Sequence, residues 1–335
     1  MAQVTVLGAG SWGSALACVL AWNGHSVKLW SHNSFAVEKM YFDHKIEKLP
    51  GFFYPEGIDF TEDIGKAVKG SELVVFAVPS TATRETAEKL RPFFEKDCGY
   101  VSVSKGIEEG TLMTQTELIE EEIPGADVGV LSGPSHAEEV IRKLPTVLVA
   151  GSKDQNQAKR MQDIFMNENL RVYTSSDVLG IEVGASLKNV IALAAGMSDG
   201  LGNGDNTRAA LITRGIREIT AIAVAMGGRK ETLFGLAGIG DLIVTCSSKH
   251  SRNHQAGELI GQGLPVKKAM EQIHMVVEGV YSARAAFELG KKYKVSMPII
   301  TEVNQVLFNG KSAKDAVHDL MCRDKKSEMK EVGWE

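Results

Sequence analysis

The chain has 335 residues, 44% hydrophobic and 24% charged, which is typical of a globular protein of about two domains. Its formal charge of −5, its pI near 6.0 and the lack of a long basic run argue against nucleic-acid binding. The four cysteines form no Cys-x-x-Cys pair, and no His, Cys, Asp and Glu residues have metal-ligand spacing. Because no signal peptide or bilayer-spanning run is evident, we expect a cytoplasmic protein without membrane insertion.

A buried strand, a tight turn and a helix start are predicted where the apolar run 4–7 leads into a Gly-x-Gly-x-x-Gly motif. Gly8 permits the turn, Gly10 lets the backbone approach a pyrophosphate, and Gly13 lets the helix lie against the strand. The free N–H groups and the dipole at the helix start attract an anion. With a helix over 14–22 and a second strand over 26–30, the motif favours a dinucleotide-binding domain over a glycine turn of another α/β fold.

The end of the second strand bears on the choice of cofactor. An NAD-selective domain usually carries Asp or Glu there for the ribose hydroxyls, whereas this chain has Ser31, His32 and Asn33. Without a carboxylate the position tolerates a 2′-phosphate, so the predicted cofactor is NADP(H) and/or NAD(H). The alternative is that His32 is only a solvated turn residue.

Strands and helices alternate to about residue 176. Further strands are predicted over 73–78, 100–104, 128–131, 146–150 and 171–173, and helices over 63–69, 83–90 and 112–122, with a helix and a loop over 34–57. This alternation predicts an α/β fold whose N-terminal domain, residues 1–176, is a Rossmann-type doubly wound parallel sheet.

The second half has a helical pattern. Helices are predicted over 178–197, 211–226, 255–261, 266–273, 282–293, 299–308 and 313–321, followed by a charged tail. The first of these is apolar on most faces and is therefore expected to be buried. We predict an all-α C-terminal domain over 177–335, with the active site in the cleft between the two domains.

Two lysines are candidate catalytic residues. Lys105 directly follows a predicted strand, at the edge of the sheet where ligands of α/β proteins bind. Lys188 lies within the apolar helix, where burial requires a partner or loss of the charge. The alternatives are a solvated loop lysine for Lys105 and, for Lys188, a side chain that extends to solvent.

Polar residues of the helical half could complete the site. Asp241 follows a glycine-rich segment and either joins the site or only caps a helix. Ser251 is a candidate N-cap, which places Arg252 in the first helical turn. Backbone N–H groups and a guanidinium suit a phosphate group, and Asn253 adds an amide donor.

Several segments together resemble the bacterial NAD(P)-dependent glycerol-3-phosphate dehydrogenases, from the first strand to about Gly310. They are residues 8–13 (GAGSWG), 104–106 (SKG), 131–135 (LSGPS), 187–190 (LKNV), 196–200 (GMSDG), 210–215 (ALITRG), 238–242 (GIGDL), 251–253 (SRN) and 277–279 (VEG). The set is specific, although no single member is.

The resemblance implies an enzyme that interconverts sn-glycerol 3-phosphate and dihydroxyacetone phosphate by hydride transfer with NAD(P)(H). It implies use mainly in the reducing direction, to supply glycerophospholipid synthesis, and a homodimer. Lys188 would be the general acid/base, with Lys105 and Asp241 as the other catalytic residues.

The same resemblance implies the binding residues. Those for the cofactor would be Gly8, Gly10, Ser11, Trp12, Gly13, His32, Lys105, Ala137, Arg252, Val276 and Glu278. Those for the substrate would be Lys105, Gly133, Ser135, Lys188, Asp241, Ser251, Arg252 and Asn253. The chain departs from the family pattern at His136, Arg208 and Gln255.

Two other functions remain open from the sequence. Another two-domain dehydrogenase, acting on a 3-hydroxyacid or a sugar-acid phosphate, would also have a Rossmann start and an interdomain lysine; the Ser-Arg-Asn segment 251–253 discriminates against it. A non-catalytic dinucleotide sensor would use the helical half to bind a partner and would leave Lys105 and Lys188 idle.

Overall fold

The computed structural model describes residues 1–273, 275–325 and 327–328, so the end of the predicted C-terminal domain and of its charged tail lies outside the described residues. Eight strands form one sheet. They are β1 (Gln3–Leu7), β2 (Ser26–Trp30), β3 (Ile58–Thr61), β4 (Leu73–Phe76), β5 (Gly99–Ser102), β6 (Val128–Ser132), β7 (Thr146–Gly151) and β8 (Leu170–Ser175).

The strand order is β3-β2-β1-β4-β5-β6-β7-β8, the doubly wound arrangement that the sequence predicts. Strands β1 to β6 are parallel, but β7 pairs antiparallel with β6, and β8 runs parallel to β7. The predicted parallel sheet is therefore confirmed for β1 to β6, whereas the antiparallel pairing of β7 with β6 reverses the direction of the last two strands. A parallel crossover normally carries a full helix, whereas residues 133–145 between β6 and β7 hold only a four-residue helix, Ala137–Val140.

Sixteen helices are found in the described part of the chain. Those of the first half are α1 (Ser11–Trp22), α2 (Ser34–Asp43), α3 (Ile64–Val68), α4 (Thr83–Leu90), α5 (Gln115–Glu122), α6 (Ala137–Val140) and α7 (Gln155–Phe165). Those of the second half are α8 (Val178–Gly200), α9 (Asp205–Met226), α10 (Lys230–Leu233), α11 (Asp241–Ser247), α12 (Arg252–Gly261), α13 (Val266–Ile273), α14 (Glu278–Tyr293), α15 (Pro298–Phe308) and α16 (Ala313–Met321). The helical character of the C-terminal domain is thus confirmed.

Local hydrogen bonds explain one boundary that differs from the sequence prediction. Helix α5 begins at Gln115 rather than at Leu112, because Leu112 has a φ of +64° and Thr114 is the N-cap. The backbone N–H of Thr114 donates to Glu117 at 2.9 Å, and the Thr114 side chain accepts from the N–H of Glu117, which forms a capping box.

Helix α8 is the centre of the helical half. Twenty of its 23 residues are buried, as its apolar sequence predicts. Contrary to the expectation from sequence, α8 is long and apolar enough to cross a membrane, but 94% of its most apolar window is buried inside the protein. It is the only such helix within the described ranges.

Four glycines set the distance between α8 and α12. A Cβ on Gly196 would lie 2.0 Å from the carbonyl oxygen of His254, and one on Gly200 would lie 2.2 Å from that of Glu258. A Cβ on Gly257 would lie 2.2 Å from the carbonyl oxygen of Leu193, and Gly261 makes an equivalent approach to α8. The two backbones are therefore in direct contact, which fixes the start of α12 relative to Lys188 on α8.

Candidate active site

Gly8 and Gly13, in the motif after β1, meet the structural requirements predicted for them. Gly8 has a φ of +118°, and a Cβ there would lie 2.7 Å from the carbonyl oxygen of Ala77. A Cβ on Gly13 would lie 2.0 Å from the carbonyl oxygen of Gly8. At Gly10, the N-cap of α1, a Cβ would meet nothing within 4 Å, and no side chain caps the helix. The start of α1 thus presents bare backbone to the adjacent cleft.

A cleft of about 430 Å³ lies between the carboxyl ends of the parallel strands and the helical half. Predicted site residues among its lining are Gly10, Ser11, Trp12, Lys105, Ser135, Ala137, Lys188, Ser251, Arg252, Asn253, Val276 and Glu278. Residues far apart in the chain therefore converge as the sequence predicts.

Two ammonium groups share one buried carboxylate beneath this cleft. The Nζ of Lys188 donates to Oδ1 of Asp241 at 2.5 Å, and the Nζ of Lys105 donates to Oδ2 at 2.8 Å. Lys188 also donates to Oγ1 of Thr245 at 2.7 Å, whose hydroxyl in turn donates to the carbonyl of Asp241 at 2.6 Å. Asp241 comes from α11, Lys188 from α8 and Lys105 from the loop after β5, so the cluster joins both halves of the protein.

Burial decides the electrostatics of this cluster. The side chains of Lys188 and Asp241 are 6% and 1% exposed. Burial, assisted by the charge of Lys105 and opposed by Asp241, lowers the pKa of Lys188 to about 8. Burial alone would raise the pKa of Asp241, but the two ammonium groups hold it below its ordinary value. The predicted outcome, that burial and Lys105 outweigh Asp241 at Lys188, is confirmed.

The simpler interpretations of these residues are wrong. Lys188 does not extend to solvent, because its ammonium is buried and paired. Lys105 is not a free loop lysine, because it also donates to the carbonyl of Gly133 at 3.1 Å and to Oγ of Ser135 at 3.5 Å. Asp241 does not cap a helix; Gly240 is the N-cap of α11, and both carboxylate oxygens of Asp241 bind lysines.

The start of α12 forms a second part of the cleft. Ser251 is its N-cap, as predicted, and its Oγ accepts from the N–H of His254 at 3.2 Å. Arg252 follows at the first helical position and donates to the carbonyl of Val276 at 3.2 Å. A partly exposed guanidinium beside a helix N-terminus is a favourable environment for a phosphate group.

Asn253 is held more firmly than the sequence suggested. Its Nδ2 donates to Oδ1 of Asn189 at 3.0 Å, and its Oδ1 accepts from the N–H of Gly279 at 2.8 Å. The buried amide therefore joins α8, α12 and α14 at the wall of the cleft. Its substrate contact remains a prediction.

Glu278 links α14 to the loop after β4. Its carboxylate accepts from the N–H of Ser80 at 3.1 Å and from the Ser80 hydroxyl. Burial raises the pKa of Glu278, although the two hydrogen bonds from Ser80 and the charge of Arg252 oppose that rise. The cleft is thus spanned at a second point besides the lysine–aspartate cluster.

The structure does not bring every predicted residue to the cleft. His32 is exposed at the end of β2 and lies outside the residues that line the cleft. Gly133 and Asp241 do not line the cleft themselves. They accept hydrogen bonds from the lining residues Lys105 and Lys188. Arg208 also lies outside the lining, because it pairs with Asp199 at 3.0 Å and with Asp205 at 2.8 Å.

Two residues of the cleft were missed as functional candidates from the sequence. Thr245 lies one helical turn after Asp241, and that i, i+4 spacing was the available signal. His136 was noted only as a departure, yet it lines the cleft and its buried Nε2 has no partner among the described residues.

The residues present fit a dinucleotide. The uncapped start of α1 and the bare Gly10 suit a pyrophosphate. The buried indole N–H of Trp12, beside them in the cleft, also has no partner in the described part of the chain. Among the same residues, no group of three or more His, Cys, Asp or Glu side chains is placed to hold a metal ion.

Both halves of the chain are similar to one family of enzymes. The family model for the N-terminus of NAD-dependent glycerol-3-phosphate dehydrogenase matches residues 3–158, and the one for its C-terminus matches residues 177–318. The chain is 58% identical to the glycerol-3-phosphate dehydrogenase (NAD(P)+) of Agathobacter rectalis, with 100% of both chains covered. It is 49% identical to that of Fusobacterium nucleatum, with 98% of this chain and 99% of the relative covered.

A solved structure extends the similarity to the fold. The crystal structure of glycerol-3-phosphate dehydrogenase from Coxiella burnetii superposes with a TM-score of 0.93 at 35% identity, covering 96% of this chain and 99% of that one.

Proposed function

Because the chain belongs to the NAD-dependent glycerol-3-phosphate dehydrogenase family, we propose that its lysine–aspartate cluster carries the proton in the interconversion of sn-glycerol 3-phosphate and dihydroxyacetone phosphate. When bound, NAD(P)(H) supplies or accepts the hydride at C2 of the substrate. The observation that carries the proposal is the buried ammonium of Lys188, paired with Asp241 at 2.5 Å at the edge of the cleft.

Lys188 is the proposed general acid/base. Reduction of the ketone places negative charge on its oxygen, and the ammonium of Lys188 stabilises that charge and then donates a proton. In the oxidising direction the neutral amine takes the proton from the hydroxyl. A pKa near 8 makes both forms accessible near neutral pH. Asp241 and Thr245 orient the amine, and Lys105 adds a second positive charge beside it.

Arg252 and the start of α12 are the proposed phosphate site. The guanidinium is anchored on Val276 at one nitrogen, which leaves its other donors for an anion. Ser251, Asn253, Gly133 and Ser135 are proposed to complete the substrate site. Ser11, Trp12, Ala137, Val276 and Glu278 are proposed contacts of the dinucleotide, with His32 near its adenosine ribose.

The proposal is tested by turnover with a panel of ketones. We expect NADPH to be consumed on addition of dihydroxyacetone phosphate, and far more slowly with unphosphorylated dihydroxyacetone. The non-catalytic sensor would bind the dinucleotide without turnover, and an enzyme for 3-hydroxyacids would turn over a keto acid instead. Either result would contradict the proposed function.

Arg252→Ala tests the phosphate site separately. We expect KM for dihydroxyacetone phosphate to rise strongly, with a loss of about 2–5 kcal/mol if the pair is desolvated. Turnover of dihydroxyacetone should barely change, because that ketone has no phosphate group for Arg252 to bind. Equal losses on both ketones would indicate a folding defect rather than a phosphate contact.

The cellular context is also proposed, on the family resemblance. We propose that the enzyme works mainly as a reductase that supplies glycerophospholipid synthesis, in the cytoplasm and as a homodimer, with its domains divided at 176/177. Size-exclusion chromatography with light scattering tests the dimer. Loss of glycerol-phosphate supply on deletion of the protein tests the metabolic direction.

A further inference from the structure

His136 is a polar residue of the cleft to which the proposed mechanism gives no role. It is the N-cap residue of α6, directly after Ser135, yet its side chain makes no capping hydrogen bond. The imidazole lines the cleft together with Lys105, Lys188 and Arg252. Its Nε2 is buried and has no hydrogen-bond partner among the described residues. A buried polar atom without a partner costs about 1–3 kcal/mol, and a ligand group that reaches Nε2 from the cleft removes that cost.

The surroundings of His136 decide what kind of group it can meet. Burial, together with the positive charges of Lys188 and Lys105, lowers the pKa of His136. The negative charges of Glu138 and Glu139 raise the pKa of His136, but they do not reverse the net lowering. The ring is therefore neutral near pH 7. A neutral imidazole has one donor and one acceptor nitrogen, which suits a hydroxyl group better than a dianionic phosphate.

The substrate of the proposed reaction has one polar group to which no individual residue has yet been assigned. Its phosphate is assigned to Arg252 and the start of α12, and its C2 oxygen to Lys188. The C1 hydroxyl remains. His136 lies on the side of the cleft where Ser135 meets Lys105, and its ring centroid is 5.9 Å from that of His250, just before α12. His136 therefore lines the same cleft as the proton-transfer lysines and Arg252, next in the chain to the proposed substrate contact Ser135.

We propose that Nε2 of His136 hydrogen-bonds the C1 hydroxyl of dihydroxyacetone phosphate and of glycerol 3-phosphate, and so selects substrates that carry a free hydroxymethyl group. This inference rests on the proposed function. His136 is then a residue that determines substrate specificity. It takes no part in the transfer of the hydride or of the proton. The hydrogen bond forms only with substrate present.

The test compares two substrates that differ in this hydroxyl alone. Acetonyl phosphate keeps the ketone and the phosphate of dihydroxyacetone phosphate but has a methyl group at C1. The variant His136→Phe keeps an aromatic ring and removes Nε2. We expect it to lower kcat/KM for dihydroxyacetone phosphate about tenfold, the size of one lost hydrogen bond, and to leave kcat/KM for acetonyl phosphate within about twofold. His136→Gln, whose amide reaches a similar position, should restore much of the discrimination.

Each other outcome overturns the inference in a recognisable way. Equal losses on both phosphorylated ketones, with none on dihydroxyacetone, would place Nε2 on the phosphate. A weaker dinucleotide Kd, measured by NADPH fluorescence, would place it on the cofactor. An unchanged ratio of the two kcat/KM values would leave His136 without a substrate role. If the wild type turns over neither ketone, it is the proposed function that fails, and not this assignment alone.

Discussion

At the scale of single residues, the position of one carboxylate organises the chemistry. Asp241 uses both of its oxygens on lysines, and all three side chains come from different segments. Lys188 is the more deeply buried lysine, with 6% of its side chain exposed against 19% for Lys105. Because burial penalises the charged form, it lowers the pKa of Lys188 and so favours this lysine for proton transfer.

Replacing Lys188 tests this role directly. We expect Lys188→Ala to lower kcat about 10²-fold or more, the scale of lost acid–base catalysis, with little change in dinucleotide affinity. Lys188→Arg should not restore activity, because a guanidinium keeps its proton in this pH range. Steady-state kinetics and NADPH titration measure both effects. An active Lys188→Arg enzyme would restrict Lys188 to an electrostatic role.

The pH dependence should carry the signature of the same lysine. With a pKa near 8, the acid form is lost as the pH rises, so kcat/KM for ketone reduction should fall through about pH 8. Oxidation of glycerol 3-phosphate needs the neutral amine and should rise through the same pH. Asp241→Asn removes the charge that raises the Lys188 pKa, so both inflections should move to lower pH. Inflections that stay in place would show that another group titrates.

His32 gives a prediction about cofactor choice. It is exposed and lies two residues after the end of β2, just before α2 begins at Ser34. We expect the wild type to accept NADP(H) at least as well as NAD(H). His32→Asp should shift the preference toward NADH, because a carboxylate repels the 2′-phosphate. The ratio of kcat/KM for the two cofactors is the measurement; a wild type that strongly prefers NADH, with no response to His32→Asp, would contradict it.

At the scale of helices and strands, the glycine contact between α8 and α12 makes the sharpest prediction. Gly257→Ala would place a methyl group 2.2 Å from the carbonyl oxygen of Leu193, which forces two helices apart. We expect the free energy of unfolding to fall by about 3 kcal/mol, despite the roughly 1 kcal/mol that alanine gains in helix propensity. Chemical denaturation measures the change.

Gly204→Ala is the matched control for that variant. A Cβ there meets nothing within 4 Å, and its φ of −92° is open to alanine. Its stability should stay within about 1 kcal/mol of the wild type, as expected for a helix N-cap position. A Gly257→Ala protein as stable as this control would mean that α8 and α12 lie farther apart.

The elements that sequence analysis missed share a physical cause. Strand β3 has only four residues and lies after a loop rich in Pro and Gly, so its short alternation of Ile58 and Phe60 was not distinguished from that loop. Helix α7 is largely polar, and its buried stripe of Ala158, Met161 and Phe165 becomes evident only against the sheet. Long apolar runs such as α8 were predicted because their burial is determined by composition alone.

Site residues were predictable where they stand next to a recognisable turn or strand end. Thr245 has no such marker, and its role depends on the side chain of Lys188 arriving from another helix. The direction of β7 was likewise not predictable, because it depends on which neighbour the strand pairs with. The family resemblance supplied the roles of residues, whereas the distances among Lys105, Lys188 and Asp241 required the structure.

At the scale of the whole molecule, a buried carboxylate joins the two halves. Glu182 on α8 accepts from the N–H of Thr116 at 2.9 Å and from its hydroxyl at 2.6 Å, at the start of α5. Burial raises the pKa of Glu182 to about 7, although these hydrogen bonds oppose the rise. The contact lies between the sheet half and the helical half, away from the residues that line the cleft.

This carboxylate should make stability depend on pH. The folded state keeps the Glu182 proton up to about pH 7, whereas the unfolded chain releases it near pH 4.5. Its contribution is therefore complete below the unfolded pKa and is lost as the pH rises through about 7, a change of up to about 3 kcal/mol. Glu182→Gln should remove that component from denaturation curves measured between pH 5 and pH 8. An identical pH dependence in the variant would assign the effect to other groups.

The reversal of β7 and β8 has a consequence for the reach of α8. Strand β8 ends beside Gly151, which pairs with Val130 short of the carboxyl edge, and α8 packs onto these two residues as it begins. Lys188 lies ten residues after Val178, which is about 15 Å along the helix. The reversed strands therefore position the start of α8, and the length of the helix from there positions the proton-transfer group. One residue inserted between Val178 and Lys188 would rotate Lys188 by about 100° about the helix axis, away from Asp241. The pairing of Lys188 with Asp241 therefore depends on the rotational position of the helix as well as on its length.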